Sequence, residues 1–293
     1  MTEVLERMCA IVERHSDMPR TQTAVPGLTL YQMETSVHPI HALYNPRVCI
    51  ILRGSKTVTL GGQSFHADPS TFLLVTVDLP VTSRVVKEAA GQSHLAMTLD
   101  LDRGMLADVL QRVPLRHVSA NSPAGVIPSR LTEPLLEPFE RLLCLLDRSD
   151  EIEFLRPLIV QEIYYRMVCS DLASLLGQFA LGGSHLWQIG KATSWIKENY
   201  KGVMSVEDLA DMAAMSVTSF HRHFKAVTLM TPVQYRTQVR LQEARRLLIS
   251  QRTAAGAAGI AVGYDSQSQF TRDYKRMFGA PPALDVARLV GAA

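Results

Sequence analysis

The chain has 293 residues, of which 47% are hydrophobic and 20% are charged, and its formal net charge is +2. A length about twice that of a typical domain and an ordinary share of charged residues exclude a disordered chain and predict two folded domains. No apolar run approaches the roughly 18 residues of a membrane span, and the acidic, amphipathic N-terminus is unlike a secretory signal. We therefore expect a cytoplasmic protein with no membrane association.

The first part of the chain, from about residue 27 to residue 99, has the pattern of a β-sheet domain. Short apolar or alternating runs rich in β-branched residues are separated by Gly, Asp, Pro and Ser. Several strands at such close spacing indicate an antiparallel sandwich or barrel. The clearest predicted strands are "RVCIILRG", "KTVTLGG", "STFLLVTVD" and "SHLAMTLDL".

After Asp100 the apolar residues recur at helical spacing, which predicts helices in "RGMLADVLQRV", "LTEPLLEPFERLLCLLDR" and "EFLRPLIVQEIYYRMVCSDLASLLGQF". The second of these is apolar over a wide arc that needs cover from the sheet or from a second subunit; its leucines are Leu142, Leu143, Leu145 and Leu146. The Gly-rich "ALGGSH" then marks a domain boundary. We predict domains of residues 1–180 and 181–293.

The charge is divided between the two parts of the chain. Up to residue 185 there are 16 Lys or Arg against 20 Asp or Glu, whereas the remainder has 14 against 8. The C-terminal part, which is predicted to be helical throughout, is therefore the part suited to a polyanion.

A short pattern occurs twice in this basic part. "SFHRHFKAVTLMTP" spans residues 219–232 and "QFTRDYKRMFGAPP" spans residues 269–282, at a constant offset of 50 residues. Each copy predicts a helix that begins after a serine cap, Ser216 or Ser266, and ends in a tight turn before a proline. An internal repeat of this kind predicts two copies of one helical unit.

The two faces of the repeated helix differ in chemistry. Phe220 and Phe224, like Phe270 and Tyr274, are four residues apart and are predicted to pack the core of each unit. The opposite face carries polar side chains that suit the major groove of DNA, because Arg pairs with guanine and hydroxyl groups read bases or phosphates. This face presents Thr218, His221, Arg222 and Lys225 in the first copy and Ser268, Thr271, Arg272 and Lys275 in the second. A solvated polar face is the alternative, which two copies in register make unfavourable.

A helix that starts at Pro232 joins the two copies. About 18 residues at roughly 1.5 Å each span about 27 Å, which is close to the roughly 34 Å between successive major-groove faces. One chain could therefore read two adjacent turns of DNA.

These residues identify a family resemblance. "SVEDLADMAAMSVTSFHRHFKAVTLMTPVQYRTQVRLQEARRLL" with "VGYDSQSQFTRDYKRMFGAPP" resembles the DNA-binding domain of AraC-type transcriptional regulators, from Trp187 to Pro282. Upstream, "YNPRVCIILRGSKTVTLGGQSFHADPSTFLLVTVDLPVTSRV" resembles the cupin-like sensor domain of one branch of that family.

The resemblance implies an α+β two-domain fold. Its N-terminal domain would be a cupin-like β-barrel or jelly roll with dimerisation helices, and its C-terminal domain an all-α domain with two helix-turn-helix units. It also implies a homodimeric regulator that binds double-stranded promoter DNA, contacts RNA polymerase, usually as an activator, and senses a small-molecule effector. The predicted DNA-binding residues are Ser216, Thr218, Ser219, His221, Arg222, Lys225, Ser266, Gln267, Ser268, Thr271, Arg272 and Lys275.

Two positions depart from the family pattern. Leu229 stands where the turn of the first unit usually has Gly, and its counterpart in the second unit is Gly279. Because Leu takes a positive φ only with strain, we expect a differently shaped or strained turn there. In the second unit, Ala258 and Gly259 replace the usual Ile and Ala, and Gly256 lies just ahead, so we expect this unit to be the less stable one.

An enzyme and a protein-interaction adaptor are the alternatives to a DNA-binding regulator. The histidines of the β-domain could suggest a metal-dependent cupin enzyme, but "HPIH" lacks the required spacing and no matching Glu follows, so we expect no metal, no cofactor and no enzymatic activity. A helical protein-interaction adaptor is a further alternative. These histidines are His38, His41, His66 and His94.

Cys49 and a group of nearby polar residues each have two interpretations. Arginines near Cys49 could make its thiol a redox switch, although a buried strand cysteine is the simpler interpretation. Tyr44, Arg53 and Lys56 could line an effector pocket or could be turn and surface residues. The four cysteines show no disulfide pattern.

Overall fold

The computed structural model describes residues 1–35, 38–87, 91–113 and 125–290. This part of the chain forms an antiparallel β domain with helices, followed by a helical domain, so the predicted fold class is confirmed. Its strands are β1 (Arg20–Gln22), β2 (Leu28–Met33), β3 (Ile40–Tyr44), β4 (Arg47–Arg53), β5 (Ser55–Leu60), β6 (Gln63–Ala67), β7 (Thr71–Val75), β8 (Leu79–Val86), β9 (His94–Asp100) and β10 (Val126–Arg130). Its helices are α1 (Thr2–His15), α2 (Arg103–Arg112), α3 (Glu133–Cys144), α4 (Ile152–Val168), α5 (Ala173–Ala180), α6 (His185–Asn199), α7 (Val206–Met212), α8 (Val217–Thr228), α9 (Pro232–Ser250), α10 (Ala255–Ala261), α11 (Gln267–Phe278) and α12 (Pro282–Val290).

The strands form two sheets whose inner faces enclose the core of the first domain. The larger sheet has the order β1-β2-β9-β4-β7-β10 and the smaller one has the order β3-β8-β5-β6, with antiparallel pairing throughout. Alternation along β5 buries Lys56, Val58 and Leu60, whereas the residues between them are half-buried. Because side chains on opposite residues of paired strands share a face, Cys49 and its partner Thr98 point the same way.

The helices of the first domain cover the outer face of the larger sheet. Helix α1 packs on β2, β4 and β9, and α3 packs on α1 and α4. Leu142, Leu143 and Leu145 are completely buried within the chain, so the leucine-rich arc predicted from the sequence is covered by the domain itself. The long helix predicted after residue 153 is divided into α4 and α5.

The second domain follows the predicted plan of capped helices. The side chains of Ser205, Ser216 and Ser266 accept hydrogen bonds from backbone N–H groups at the starts of α7, α8 and α11. Thr231 forms a capping box with Gln234 at the start of α9. Helices α7 and α8 make the first helix-turn-helix unit, α10 and α11 make the second, and α9 joins them.

The turns after α8 and α11 have the same backbone conformation, but only the turn after α8 has a residue other than glycine at the left-handed position. Leu229 has φ 57° and ψ 18°, and Gly279 has φ 78° and ψ −7°, so both residues take the left-handed conformation. The hydroxyl of Thr228 stabilises the first turn, because it donates to the carbonyl of Phe224 and accepts from the backbone N–H of Met230. Of the two possibilities raised by the sequence, a normally shaped but strained turn is the one observed.

The strained turn also lies against the β domain. A Cβ atom added to Gly61, in the β5–β6 turn, would approach the Leu229 Cβ and carbonyl oxygen to 2.5 Å. The backbone N–H of Gly125 donates to the carbonyl of Val227 at 2.9 Å. The C-terminal end of α8 is therefore docked on the β domain, whose two sheets are called the barrel below.

The two helix-turn-helix units belong to different cores. The first unit shares one continuous core with the β domain, and this core includes Phe220, Phe224 and Val239. The second unit has a separate small core built around Phe270 and Tyr274. In the smaller core Gly259 lies against the ring of Phe270, where an added Cβ would meet ring carbons at 3.0 Å. The glycine therefore permits a close helix contact as well as lowering helix propensity.

We expect the turn contact to be sensitive to one methyl group. Gly61→Ala should lower the free energy of unfolding by about 1 to 3 kcal/mol more than Gly62→Ala does, because only the first places its Cβ in the backbone of Leu229. Both glycines have a positive φ, at 55° and 86°, so Gly62→Ala controls for backbone strain. Urea unfolding followed by far-UV circular dichroism measures the difference. Equal losses in the two variants would contradict the close contact.

We also expect the second unit to exchange its amide protons faster than the first. Its small core buries few apolar side chains, and local opening free energies follow such burial. Hydrogen exchange measured by mass spectrometry should give lower protection in α10 and α11 than in α7 and α8. The same degree of protection in both units would show that the glycines of α10 do not weaken it.

Candidate DNA interface

The first recognition helix, α8, separates its two faces as the sequence predicts. Phe220 and Phe224 are completely buried and their ring centroids are 5.4 Å apart, and Phe224 meets the ring of Tyr235 edge-on at 5.5 Å. The opposite face leaves Thr218, His221, Arg222 and Lys225 exposed, together with the cap Ser216; Ser219 is half-buried. The described β domain contacts the end of this helix and leaves its polar face open to solvent.

Among the residues that the structure describes, the guanidinium of Arg222 contacts the neighbouring His223. Its Nη2 lies 3.3 Å from Nε2 of His223, whose ring is 3.9 Å from that of His185. Burial and the neighbouring His185 and Arg222 lower the pKa of His223, which keeps this imidazole neutral at pH 7 and able to accept the hydrogen bond. The contact is exposed and weak, so Arg222 is available to a ligand.

The second recognition helix, α11, presents an open polar groove. Gln267, Ser268, Thr271, Arg272 and Lys275 line it together with Arg276. The cap Ser266 and most of these side chains are exposed, whereas Thr271 is half-buried. Arg276 pairs with Asp273 at 3.0 Å, one turn earlier on the same helix. Both helices therefore bring together the polar residues that the repeat predicted.

A buried ionic cluster holds α11 on the side opposite its exposed polar face. Arg245 of α9 donates two hydrogen bonds to Asp285 of α12, at 2.8 and 3.0 Å, and the Tyr274 hydroxyl donates to the same carboxylate at 2.8 Å. All three side chains are largely buried. This cluster ties the recognition helix to α9 and α12 and was not predicted from the sequence.

The three predicted effector residues do not share one environment. Tyr44 and Lys56 both face the barrel interior, where the Lys56 Nζ lies 5.3 Å from the centre of the Tyr44 ring. Arg53 instead forms an ion pair with Glu13 of α1, with N and O atoms 2.5 Å apart, on the outer side of the sheet. The structure therefore brings two of the three together.

The sequence analysis did not identify Tyr31 and Thr98 as neighbours of Lys56, and it considered His94 only as a possible metal ligand. The Lys56 Nζ lies 5.6 Å from the centre of the Tyr31 ring, and His94 and Thr98 are also buried in the barrel. Burial, and the charge of Lys56 close by, lower the pKa of His94 to about 4. Alternation along β9 places His94 and Thr98 on one face, so their shared environment could have been predicted. Tyr31 could not, because β2 was not recognised as a strand.

Cysteines and histidines of the β domain are dispersed. Cys49 is buried in the barrel, and burial raises the pKa of the Cys9 thiol to about 11. His41 packs edge-on against Phe278 of the second domain, at 4.7 Å between ring centroids, whereas His66 is exposed. Within the described ranges, no three His, Cys, Asp or Glu side chains are grouped to hold a metal ion. Nor does any described helix have the length and apolar character to cross a membrane.

Comparisons with known proteins agree with this architecture. The sequence profile of the AraC-type transcriptional regulator N-terminus matches residues 24–175, and that of a helix-turn-helix domain matches residues 209–284. The transcriptional activator RhaS of Yersinia pestis is 24% identical over 187 residues, which cover 60% of this chain and 68% of RhaS.

The same two-domain fold occurs in ToxT of Vibrio cholerae. An apo ToxT structure has a TM-score of 0.57 at 9% identity and covers 90% of this chain and 98% of its own. A ToxT structure with bound unsaturated fatty acid has a TM-score of 0.56 at 9% identity, with 92% and 96% covered. With a family profile that spans more than half of its length, this chain belongs to the AraC-type transcriptional regulators and carries a helix-turn-helix DNA-binding domain.

Proposed function

We propose that the protein is a promoter-binding transcription activator whose N-terminal domain senses a small molecule. We further propose that the polar faces of α8 and α11 contact the DNA bases. The observation that carries the proposal is the pair of matched helices, each with a serine cap, a buried aromatic pair and an exposed arginine at the same position.

The chemistry of each helix suits one major groove. Arg222 and Arg272 each have a guanidinium that can donate two hydrogen bonds to O6 and N7 of a guanine. The cap hydroxyls of Ser216 and Ser266 accept from the backbone, so their own protons remain free to donate to a phosphate. Lys225 and Lys275 lie two turns or more from the caps and suit the DNA backbone.

The joining helix supports simultaneous contact by both units. Helix α9 has 19 residues and therefore spans about 28 Å at roughly 1.5 Å per residue. Adjacent major-groove faces are about 34 Å apart, so two recognition helices at the ends of α9 suit successive turns of one duplex.

Arg222→Ala and Arg272→Ala should each weaken binding to the native promoter by about 1 to 3 kcal/mol and relax base preference at one position. Lys225→Ala should instead weaken binding to all sequences alike and make it less dependent on salt. Mobility-shift titrations at several salt concentrations, with DNA from upstream of the protein's own gene, measure both effects.

Arg112→Ala is the matched control, because Arg112 is exposed on α2 in the other domain. It should leave promoter affinity unchanged. Unaltered binding by both recognition-helix arginine variants would show that the groove assignment is wrong.

The partners and boundaries of the two domains are part of the same proposal. The name of RhaS as an activator supports activation here, which would require contact with RNA polymerase and a cytoplasmic location beside the DNA. We place the boundary between residues 180 and 181, since α5 ends at Ala180 and α6 begins at His185. As a DNA-binding regulator, the protein needs no catalytic activity.

A homodimer is supported by an exposed apolar face on α4. Phe154, Leu158 and Tyr165 are 74%, 52% and 52% exposed. Their spacing of four and seven residues puts them on one side of the helix. Because large apolar side chains grouped on a surface favour association, we propose that a second copy of the chain covers this face.

Phe154→Glu should convert the dimer into a monomer at micromolar concentration, because it replaces the most exposed apolar side chain of that face with a charge. Val203→Glu is the control, since Val203 is 96% exposed but lies in the other domain. Size-exclusion chromatography with light scattering measures the mass. A wild-type mass equal to one chain, or a dimer that survives Phe154→Glu, would contradict this interface.

A further inference from the structure

Lys56 is a buried cation, and none of the described Asp or Glu side chains forms an ion pair with it. The residue is 8% exposed and its side chain points from β5 into the barrel, between the rings of Tyr31 and Tyr44. The titratable groups that face it are Tyr44, Cys49, Tyr31 and His94.

The stability of the fold does not account for this lysine. Removing an ammonium from water is costly, and a buried charge is normally retained only where an opposite charge or several hydrogen bonds compensate it. The two tyrosine rings recover part of that cost through their negative faces. An apolar side chain of similar length would fill the same space without the cost, so the ammonium has a use beyond packing.

Two buried polar atoms lie on the same inner face of the sheets. Within the described part of the chain, Thr98 Oγ1 and His94 Nδ1 have no hydrogen-bond partner. Thr98 is opposite Cys49 in the sheet, and Cys49 faces Lys56, so the free hydroxyl and the ammonium share one region. Buried polar groups without partners are rare in native proteins and call for an explanation. A bound molecule would complete their hydrogen bonds here.

We propose that the barrel interior binds a small carboxylate, which the Lys56 ammonium holds with help from Tyr44 and Thr98. The carboxylate would supply the missing negative charge and accept hydrogen bonds from the ammonium, the phenol and the hydroxyl. Ile51, Val58 and Val85 are buried apolar residues on the strands around Lys56, and they suit an apolar body on the ligand. This inference rests on the proposed effector control and names the chemical class of the effector.

The test compares carboxylates with their neutral amides. Acetate, butyrate and benzoate, each paired with acetamide, butyramide or benzamide, are titrated against the full chain while its Tm is recorded. We expect at least one acid to raise the Tm by several degrees and its amide to leave it unchanged. Lys56→Met should abolish the response to the acid. Lys201→Met, which removes an exposed lysine that lies over the Tyr200 ring, should retain it.

The stability of the variant separates ligand binding from a structural role. If Lys56 serves a ligand, Lys56→Met without ligand should be as stable as the wild type or more stable, because an uncompensated charge is removed. A Tm well below that of the wild type, or acids that shift the wild type and Lys56→Met equally, would overturn the proposal. A series in which no acid shifts the wild type would overturn it too. Promoter binding without any acid tests the proposed function independently of this result.

Discussion

The relation between the two domains depends on Asp78, a residue in the short connection between β7 and β8. Its carboxylate accepts hydrogen bonds from Ser194 at 2.8 Å and Lys197 at 2.6 Å, both on α6. Its backbone carbonyl accepts from the hydroxyl of Tyr235 on α9 at 2.7 Å. One buried residue of the β domain is thus bonded to two helices of the DNA-binding domain.

This contact positions the first recognition helix. Tyr235 is completely buried and its ring meets Phe224, whose side chain belongs to the buried face of α8. Burial raises the pKa of Tyr235 well above its ordinary value, so the phenol keeps its proton and remains a donor to Asp78 at any physiological pH. The orientation of α8 is therefore set by a chain of contacts that begins in the barrel.

The sequence was sufficient to predict those features that depend on local physics. The serine caps, the helix start at Pro232 and the buried aromatic pairs all follow from spacing along a helix. Leu229 was identified as the position of a differently shaped or strained turn, because the repeat supplied Gly279 for comparison. Each of these inferences used residues within a few positions of one another.

Features that join distant residues could not be predicted in this way. Asp78 is 116 residues from Ser194 and 157 residues from Tyr235, and no periodicity connects them. The separation of Arg53 from Lys56 has a local cause that strand alternation does not reveal. The pairing of β4 with β9 shifts register between Ile51 and Arg53, and such an irregularity changes the face on which later residues lie.

Strand β5 connects the buried Lys56 with the turn that contacts the helical domain. Strand β5 carries Lys56 in the barrel and leads directly to Gly61, which lies against Leu229 at the end of α8. Its neighbour β8 begins just after Asp78. A strand advances about 3.3 Å per residue, so roughly 17 Å of chain separates the backbone of Lys56 from that of Gly61. Because paired strands move together, a ligand that displaced β5 would act on both contacts at once.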